Sequence, residues 1–391
     1  MCNTPAVDAT TVNVVRNSEP RPSPWATSAV YACFLATGIG VVLPGAMLPL
    51  LLTRWSLSDT QAGLLFFLFF IGSTTGAVLS RGSMSKSIAR GGLATAAGAA
   101  LLAGASRGYA FAAIPLYGLG LGIVMTSVSL LQSRRHESER AAQMARLNLT
   151  WAIGACLGPS LVLRGAAAWG TPAVLLTVAA FFALAAVLVF AVVPDANAVA
   201  TPHAIRSKAP IALLLLLVPL ATGIESATGG WLATYSKRSG QTLGEVIGAA
   251  TCFWAGMLIS RFIQSHRRIA TVSVLPLFVG GPWLMSAALG ILLLSRGGVS
   301  MLAGALLLGL AIGPMYPLLL ALALRRGEAG NIVFVLAGCG ASLLPLLTGL
   351  VSGRTGSLRA GLCVPLIGAL TMATLGLVGW RSERSWSRQQ P

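Results

Sequence analysis

The chain has 391 residues, of which 55% are hydrophobic and 9% are charged, and its formal net charge is +17. A soluble globular domain carries roughly 25% charged residues, so this composition excludes an ordinary water-soluble protein and predicts an integral membrane protein. The basic residues are spread over short loops rather than clustered, which excludes a nucleic-acid-binding domain.

Long apolar runs indicate how the chain crosses the bilayer. A run of about 20 apolar residues spans the hydrocarbon core as a helix, and a helix satisfies its own backbone hydrogen bonds in lipid. Hydropathy predicts about twelve such spans and an all-α fold. The first six are expected at 26–53, 59–80, 88–106, 109–132, 141–163 and 171–193. The second six are expected at 209–236, 243–264, 270–294, 298–323, 330–351 and 359–380.

Polar segments divide the chain into two predicted six-helix bundles, 26–193 and 209–380, joined by a cytoplasmic connector, 194–208. Residues 1–25 are predicted to be a disordered cytoplasmic tail, and 381–391 a second tail. Most of the 27 Lys and Arg residues fall on the side that would hold both tails, which predicts that side to be cytoplasmic. We therefore expect a multi-pass protein of the cell (inner) membrane, and we call the predicted cytoplasmic side the inner side and the opposite one the outer side.

Glycine and proline recur inside the predicted spans. Gly280, Gly281 and Pro282 are expected to interrupt the ninth span, and Gly313, Pro314 and Pro317 the tenth. Proline removes a helix hydrogen bond and bends the helix, while glycine lets helices approach closely. Their repetition favours helices that bend and rock, as a transporter requires.

The stretch TGIESATGGWLATY, residues 222–235, carries Glu225, which is the acidic residue that falls well inside a predicted span. A charge at that depth costs about 2.5 kcal/mol or more and usually faces a cavity or a partner. A carboxyl group there can accept hydrogen bonds from a polar solute or carry a proton. The alternative is that Glu225 holds helices together through a hydrogen bond to Ser, Asn or Trp.

Helical spacing places Thr222 and Thr228 on roughly the same face as Glu225, which predicts a polar cavity lining. Trp231 can stack on a sugar ring or anchor the outer interface of the membrane. Three further polar residues are candidates for a substrate or proton site: Gln61, Asn148 and Tyr316. Asn148 could instead only cap the fifth helix, and packing is favoured over site lining for Trp151.

Seven stretches, in order along the chain, resemble those of a known family: GIGVVLPGAMLPLL (38–51), WSLSDTQAGLLF (55–66), LNLTWAIGACLGP (147–159), GIESATGGWLATY (223–235), FWAGMLISR (253–261), GLAIGPMYPLLLAL (309–322) and LAGCGASLLPLLTGLVSGRTGSLRAG (336–361). Together they resemble the major facilitator superfamily and, within it, the fucose:proton symporter-like branch of sugar transporters. The resemblance implies two six-helix bundles around a central cavity. It also implies alternating access for a small polar solute, with proton coupling in many members.

The chain departs from this family at three points. Ser80 stands where the loop after the second span usually has Asp, although the following Arg81 keeps the loop basic and is a candidate for gating. In the eighth span, Ser260 replaces the usual Gly before Arg261, which is the second gating candidate, with contact to lipid headgroups as its alternative. The first and fourth spans lack the acids that the symporters often place there, so proton coupling is not carried over directly.

The resulting prediction is a secondary active or facilitative transporter of a small polar, sugar-like solute, with Glu225 in the central cavity. A proton-coupled efflux antiporter for amphipathic compounds is the alternative, because Gly154, Gly158 and Pro159 resemble an antiporter pattern. A transport-inactive receptor is a third. The sequence has no nucleophile–base arrangement or phosphate-binding loop, so we predict no enzyme, cofactor or metal. The expected partners are the solute, a coupling proton or sodium ion and the lipid bilayer, for a monomer that binds no nucleic acid.

Overall fold

The computed structural model describes residues 23–136, 140–194, 211–265, 274–295, 297–325 and 330–387, and these are helical apart from short connections. The first six helices, which we call the N-terminal half, are α1 (Pro24–Arg54), α2 (Asp59–Leu79), α3 (Met84–Gly104), α4 (Arg107–Arg135), α5 (Arg140–Trp169) and α6 (Thr171–Val192). The remainder, the C-terminal half, are α7 (Ile211–Arg238), α8 (Leu243–Ser265), α9 (Val274–Leu294), α10 (Gly298–Ile312), α11 (Met315–Arg325), α12 (Gly330–Thr355), α13 (Leu358–Gly361) and α14 (Cys363–Ser387).

The prediction of an all-α membrane protein is confirmed. Within the described residues, nine helices are long and apolar enough to cross a bilayer. Most of the predicted N-terminal tail and of the connector 194–208 lies outside the described residues. At the other end, α14 continues to Ser387 and so extends beyond the predicted boundary at residue 380.

The structure divides the tenth and twelfth predicted spans into two helices each but leaves the ninth continuous. The tenth is divided into α10 and α11 at Gly313 and Pro314, because proline cannot donate the backbone hydrogen bond that would continue the helix. The twelfth is divided into α13 and α14. The expected interruption of the ninth span was wrong, since α9 runs unbroken through Pro282. A proline removes one hydrogen bond, and a membrane helix tolerates that loss when its neighbours support it.

Glycines allow the helices to pack at close range. In the C-terminal half, a Cβ atom on Gly309 of α10 would overlap the backbone carbonyl oxygen of Phe253 on α8. Across the two halves, a Cβ on Gly45 of α1 would lie 2.8 Å from the carbonyl oxygen of Gly229 on α7. Close approach at such crossings increases van der Waals contact between the helices. This contact stabilises the packing in lipid, where no hydrophobic driving force brings helices together.

Replacing Gly309 with alanine is therefore expected to destabilise the protein by about 1–3 kcal/mol, because α8 and α10 must separate to admit the methyl group. The matched control is Gly290→Ala in α9, where a Cβ would find no heavy atom within 4 Å. Both variants gain the same helix propensity, so the difference in apparent melting temperature in detergent isolates the steric effect. Equal melting temperatures would contradict the close packing of these two helices.

Candidate functional site

Glu225 lies halfway along α7 and faces a basic residue of the neighbouring helix. Its carboxylate oxygen Oε2 is 3.9 Å from Nη2 of Arg261 on α8, and the two side chains are 18% and 9% exposed. The separation permits strong attraction in a poorly solvated place but exceeds the usual hydrogen-bond distance of about 2.7–3.2 Å. Glu225 and Arg261 therefore form a loose, largely buried ion pair inside the C-terminal half.

Arg261 connects this pair to the other half. Its guanidinium carbon lies 5.0 Å from the ring centroid of Trp151 on α5, which is a cation–π arrangement. The Trp151 ring meets the Trp254 ring of α8 nearly edge-on, with centroids 5.8 Å apart. Arg261 Nε also donates to the carbonyl oxygen of Gly313, 3.4 Å away, at the break between α10 and α11.

Tyr316, just after that break, lies near both Glu225 and Arg261. We call Glu225, Arg261, Tyr316, Trp151 and Trp254 the central cluster. The sequence identified Glu225 and Tyr316 as site candidates. It assigned Arg261 to a gate, favoured packing over site lining for Trp151 and did not single out Trp254. The sequence did contain a signal for this pair, since Glu225 and Arg261 are an acid and a base in neighbouring apolar segments.

The predicted polar face of α7 packs against α12. The Thr222 hydroxyl donates to the carbonyl oxygen of Ala337 on α12, 2.8 Å away. Thr228 is 2% exposed and donates to the carbonyl oxygen of Ile224 within α7. In this structure α12 packs on this face and helix carbonyls accept from both hydroxyl groups, so a role of Thr222 and Thr228 at the substrate or proton site stays a prediction.

Trp231 and Gln61 are also used by the packing of the helices. Trp231 is fully buried, and its indole N–H donates to the carbonyl oxygen of Pro345, 3.1 Å away. Gln61 closes a capping box at the start of α2, where its side-chain oxygen accepts from the backbone N–H of Ser58 at 3.0 Å. Neither residue belongs to the central cluster, and Trp231 is not an exposed interface anchor.

Asn148 and Arg81 are both exposed. Asn148 lies on α5, one turn before Trp151. Arg81 lies between α2 and α3, and its carbonyl oxygen accepts from the Ser87 hydroxyl at 3.3 Å. Ser80 donates to the carbonyl oxygen of Ile123 on α4, so this bond stays within the N-terminal half.

A second charged contact joins the two halves at the outer side. Arg238, at the end of α7, binds Asp59, at the start of α2, through two parallel hydrogen bonds of 2.6 and 2.7 Å. Ser352 of α12 donates to the same carboxylate at 2.5 Å. We call these three residues the outer contact. The sequence placed Asp59 and Arg238 in loops or at span ends and gave no sign that they pair.

Comparison with known proteins identifies the architecture. The family model described as Major Facilitator Superfamily matches residues 30–340. A bacterial homologue of the human lysosomal transporter Spinster, in an inward-facing and occupied conformation, superposes with a TM-score of 0.70 at 15% identity, covering 90% of this chain and 96% of that one. The human organic anion transporter MFSD10 (TETRAN) superposes with a TM-score of 0.66 at 16% identity, covering 92% and 100%. No curated protein sequence matches significantly.

Proposed function

The chain belongs to the Major Facilitator Superfamily and is a transporter rather than an enzyme, and we propose that it moves a small polar organic solute across the cell (inner) membrane by alternating access, with both termini in the cytoplasm. The observation that supports this most is the central cluster. It combines a largely buried acid and base with aromatic rings, and its members come from both halves of the chain.

The chemistry of the cluster suits a polyhydroxylated, sugar-like solute. A hydroxyl group can donate to the carboxylate of Glu225 and accept from the guanidinium of Arg261, and the rings of Trp151 and Trp254 offer apolar surfaces. The ion pair has no net charge, so a neutral solute adds no unpaired charge to a poorly solvated site. Exchange of a proton or a sodium ion at Glu225 would couple such transport to an ion gradient.

Alternating access requires the halves to separate first on one side and then on the other. The outer contact is about 20 Å from Glu225, given the helical rise over the residues between Glu225 and Arg238. We infer that it holds the outer side closed while the solute exchanges with the inner side. This role is independent of the chemistry of the central cluster.

The glycines that suggested an efflux antiporter have a packing role. A Cβ on Gly154 would overlap the carbonyl oxygen of Leu35 on α1, and one on Gly158 would overlap the side chain of Val42. Both glycines therefore let α5 pack closely against α1 inside the N-terminal half. This packing does not distinguish an efflux antiporter from a transporter of another substrate class. We keep the polar-solute transporter as the leading proposal.

Flux into proteoliposomes containing the purified protein tests the proposal. The panel holds glucose, fucose, mannitol, lactate and tetraphenylphosphonium, each with and without a proton or sodium gradient. We expect saturable uptake of at least one neutral hydroxylated compound, above that of protein-free liposomes. Flux of tetraphenylphosphonium alone would support the antiporter, whereas thermal stabilisation by a compound without any flux would support a receptor.

A further inference from the structure

Trp151 has an unused hydrogen-bond donor in the middle of the central cluster. The residue is 6% exposed, and its indole N–H has no partner among the residues that the structure describes. A buried Trp usually finds an acceptor for this group, because leaving a buried donor unpaired costs about 1–3 kcal/mol. The protein therefore keeps an unpaired donor at the point where its two halves meet.

The neighbouring Arg261 has unused donors as well. Within the described part of the chain, its guanidinium makes a single hydrogen bond, the long one from Nε to the Gly313 carbonyl oxygen. The nearest carboxylate oxygen, of Glu225, is 3.9 Å from Nη2 and so lies outside hydrogen-bond range. The terminal N–H groups of Arg261 thus remain available, next to an indole ring whose centroid is 5.0 Å from the guanidinium carbon.

Among the described residues, the Trp151 indole N–H and the terminal N–H groups of Arg261 thus have no acceptor within hydrogen-bond distance, and the two side chains are in contact. Buried polar groups are paired in nearly all native structures, so a position with several unpaired donors is where an oxygen-bearing ligand would bind. Packing explains the contact between the Trp151 ring and the guanidinium, but it does not explain why the indole N–H has no partner among the described residues.

We propose that Trp151 and Arg261 form the acceptor-binding subsite of the transport site, in which the indole N–H and the guanidinium N–H groups donate to oxygen atoms of one solute molecule. This inference rests on the proposed function and adds a residue that determines specificity. Since Trp151 belongs to α5 and Arg261 to α8, the solute would bridge the two halves at this subsite. A compound without an acceptor oxygen, such as tetraphenylphosphonium, would not be held there.

A matched pair of tryptophan variants tests the proposal. Trp151→Phe removes the N–H and keeps an aromatic ring beneath Arg261. The control is Trp55→Phe, since Trp55 is 5% exposed and also has an arginine, Arg54, over its ring, at 5.7 Å. The difference is that the Trp55 N–H is already paired, with the carbonyl oxygen of Ala105 at 2.9 Å.

The two variants are expected to respond in opposite ways. Without solute, both variants lose the buried contacts of the larger ring, but only Trp55→Phe also loses a hydrogen bond, so Trp55→Phe should melt several degrees lower than Trp151→Phe. With the panel compound that stabilises the wild type most, Trp151→Phe should bind about three- to ten-fold more weakly, the value expected for one lost hydrogen bond. Trp55→Phe should keep the wild-type affinity.

Each other result overturns the proposal in a distinguishable way. If Trp151→Phe is destabilised like Trp55→Phe before any solute is added, its N–H has a structural partner and is not a ligand donor. If a compound binds Trp151→Phe and the wild type equally well, the subsite is wrong while the proposed function stands. If no hydroxylated compound of the panel stabilises the wild type or is transported, the proposed function fails, and this subsite fails with it.

Discussion

Replacing Glu225 with glutamine is expected to lower solute flux about ten- to 150-fold, while the protein still folds. The substitution keeps the shape of the side chain but removes the charge that faces Arg261 at 3.9 Å. Loss of a solute hydrogen bond to a charged group costs about 1.5–3 kcal/mol, and loss of an exchangeable proton would stop ion coupling altogether. The measurement is initial uptake into proteoliposomes, with the amount of folded protein quantified by size-exclusion chromatography.

The same substitution has a second effect, which needs its own control. Arg261 would be left as a buried cation without a counter-ion, so the variant should also lose stability. The loss should stay below the roughly 3–5 kcal/mol that accompanies breaking a fully buried pair, since Glu225 keeps 18% exposure. The double variant Glu225→Gln with Arg261→Gln removes both charges and should recover much of the melting temperature. Recovery of flux together with stability in the double variant would show that the pair only holds α7 and α8 together.

The contrast between Glu225 and its neighbours on α7 shows how far the sequence could be used. Hydropathy alone was sufficient to predict a helical membrane protein, because an apolar run of about 20 residues has few stable structures other than a membrane-spanning helix. It also identified Glu225 and Tyr316, since polar groups in such runs are costly and need a reason. It gave no sign that Thr222 and Trp231 donate to backbone carbonyls of α12, because these partners lie more than 100 positions later in the chain.

Long-range pairing also explains the two omissions that matter most for function. The sequence favoured a packing role for Trp151. Nothing in the local sequence indicates that its N–H has no acceptor among the described residues, or that Arg261 lies over its ring. The sequence likewise indicated only that Asp59 and Arg238 are charged residues at the ends of separate spans. Which helix ends meet is decided by the packing of the two halves, and composition and periodicity carry no information about that packing.

Breaking the outer contact is expected to open the outer side. Asp59 is held by Arg238 and Ser352 from the other half, and its side chain is 10% exposed, whereas that of Arg238 is 43% exposed. Such a partly solvated, bidentate pair contributes about 1–2 kcal/mol, so Asp59→Asn with Arg238→Gln should raise the outward-open population about five- to thirty-fold. Ser236→Cys, at a fully buried position near the outer end of α7, provides the reporter.

The readout is the rate at which a membrane-impermeant maleimide labels Cys introduced at position 236, corrected for the native cysteines with the same protein lacking the reporter. Two controls make the result specific. Glu245→Gln removes another outer acid, which accepts hydrogen bonds only from Thr242 among the described residues, and should leave labelling unchanged. Exchanging the charges with Asp59→Arg and Arg238→Asp should restore slow labelling, because the attraction across the halves is re-formed in the opposite sense. If the neutral double variant labels no faster than its parent, the closed outer side depends on helix packing, such as that of Gly45 against Gly229, and not on this ion pair.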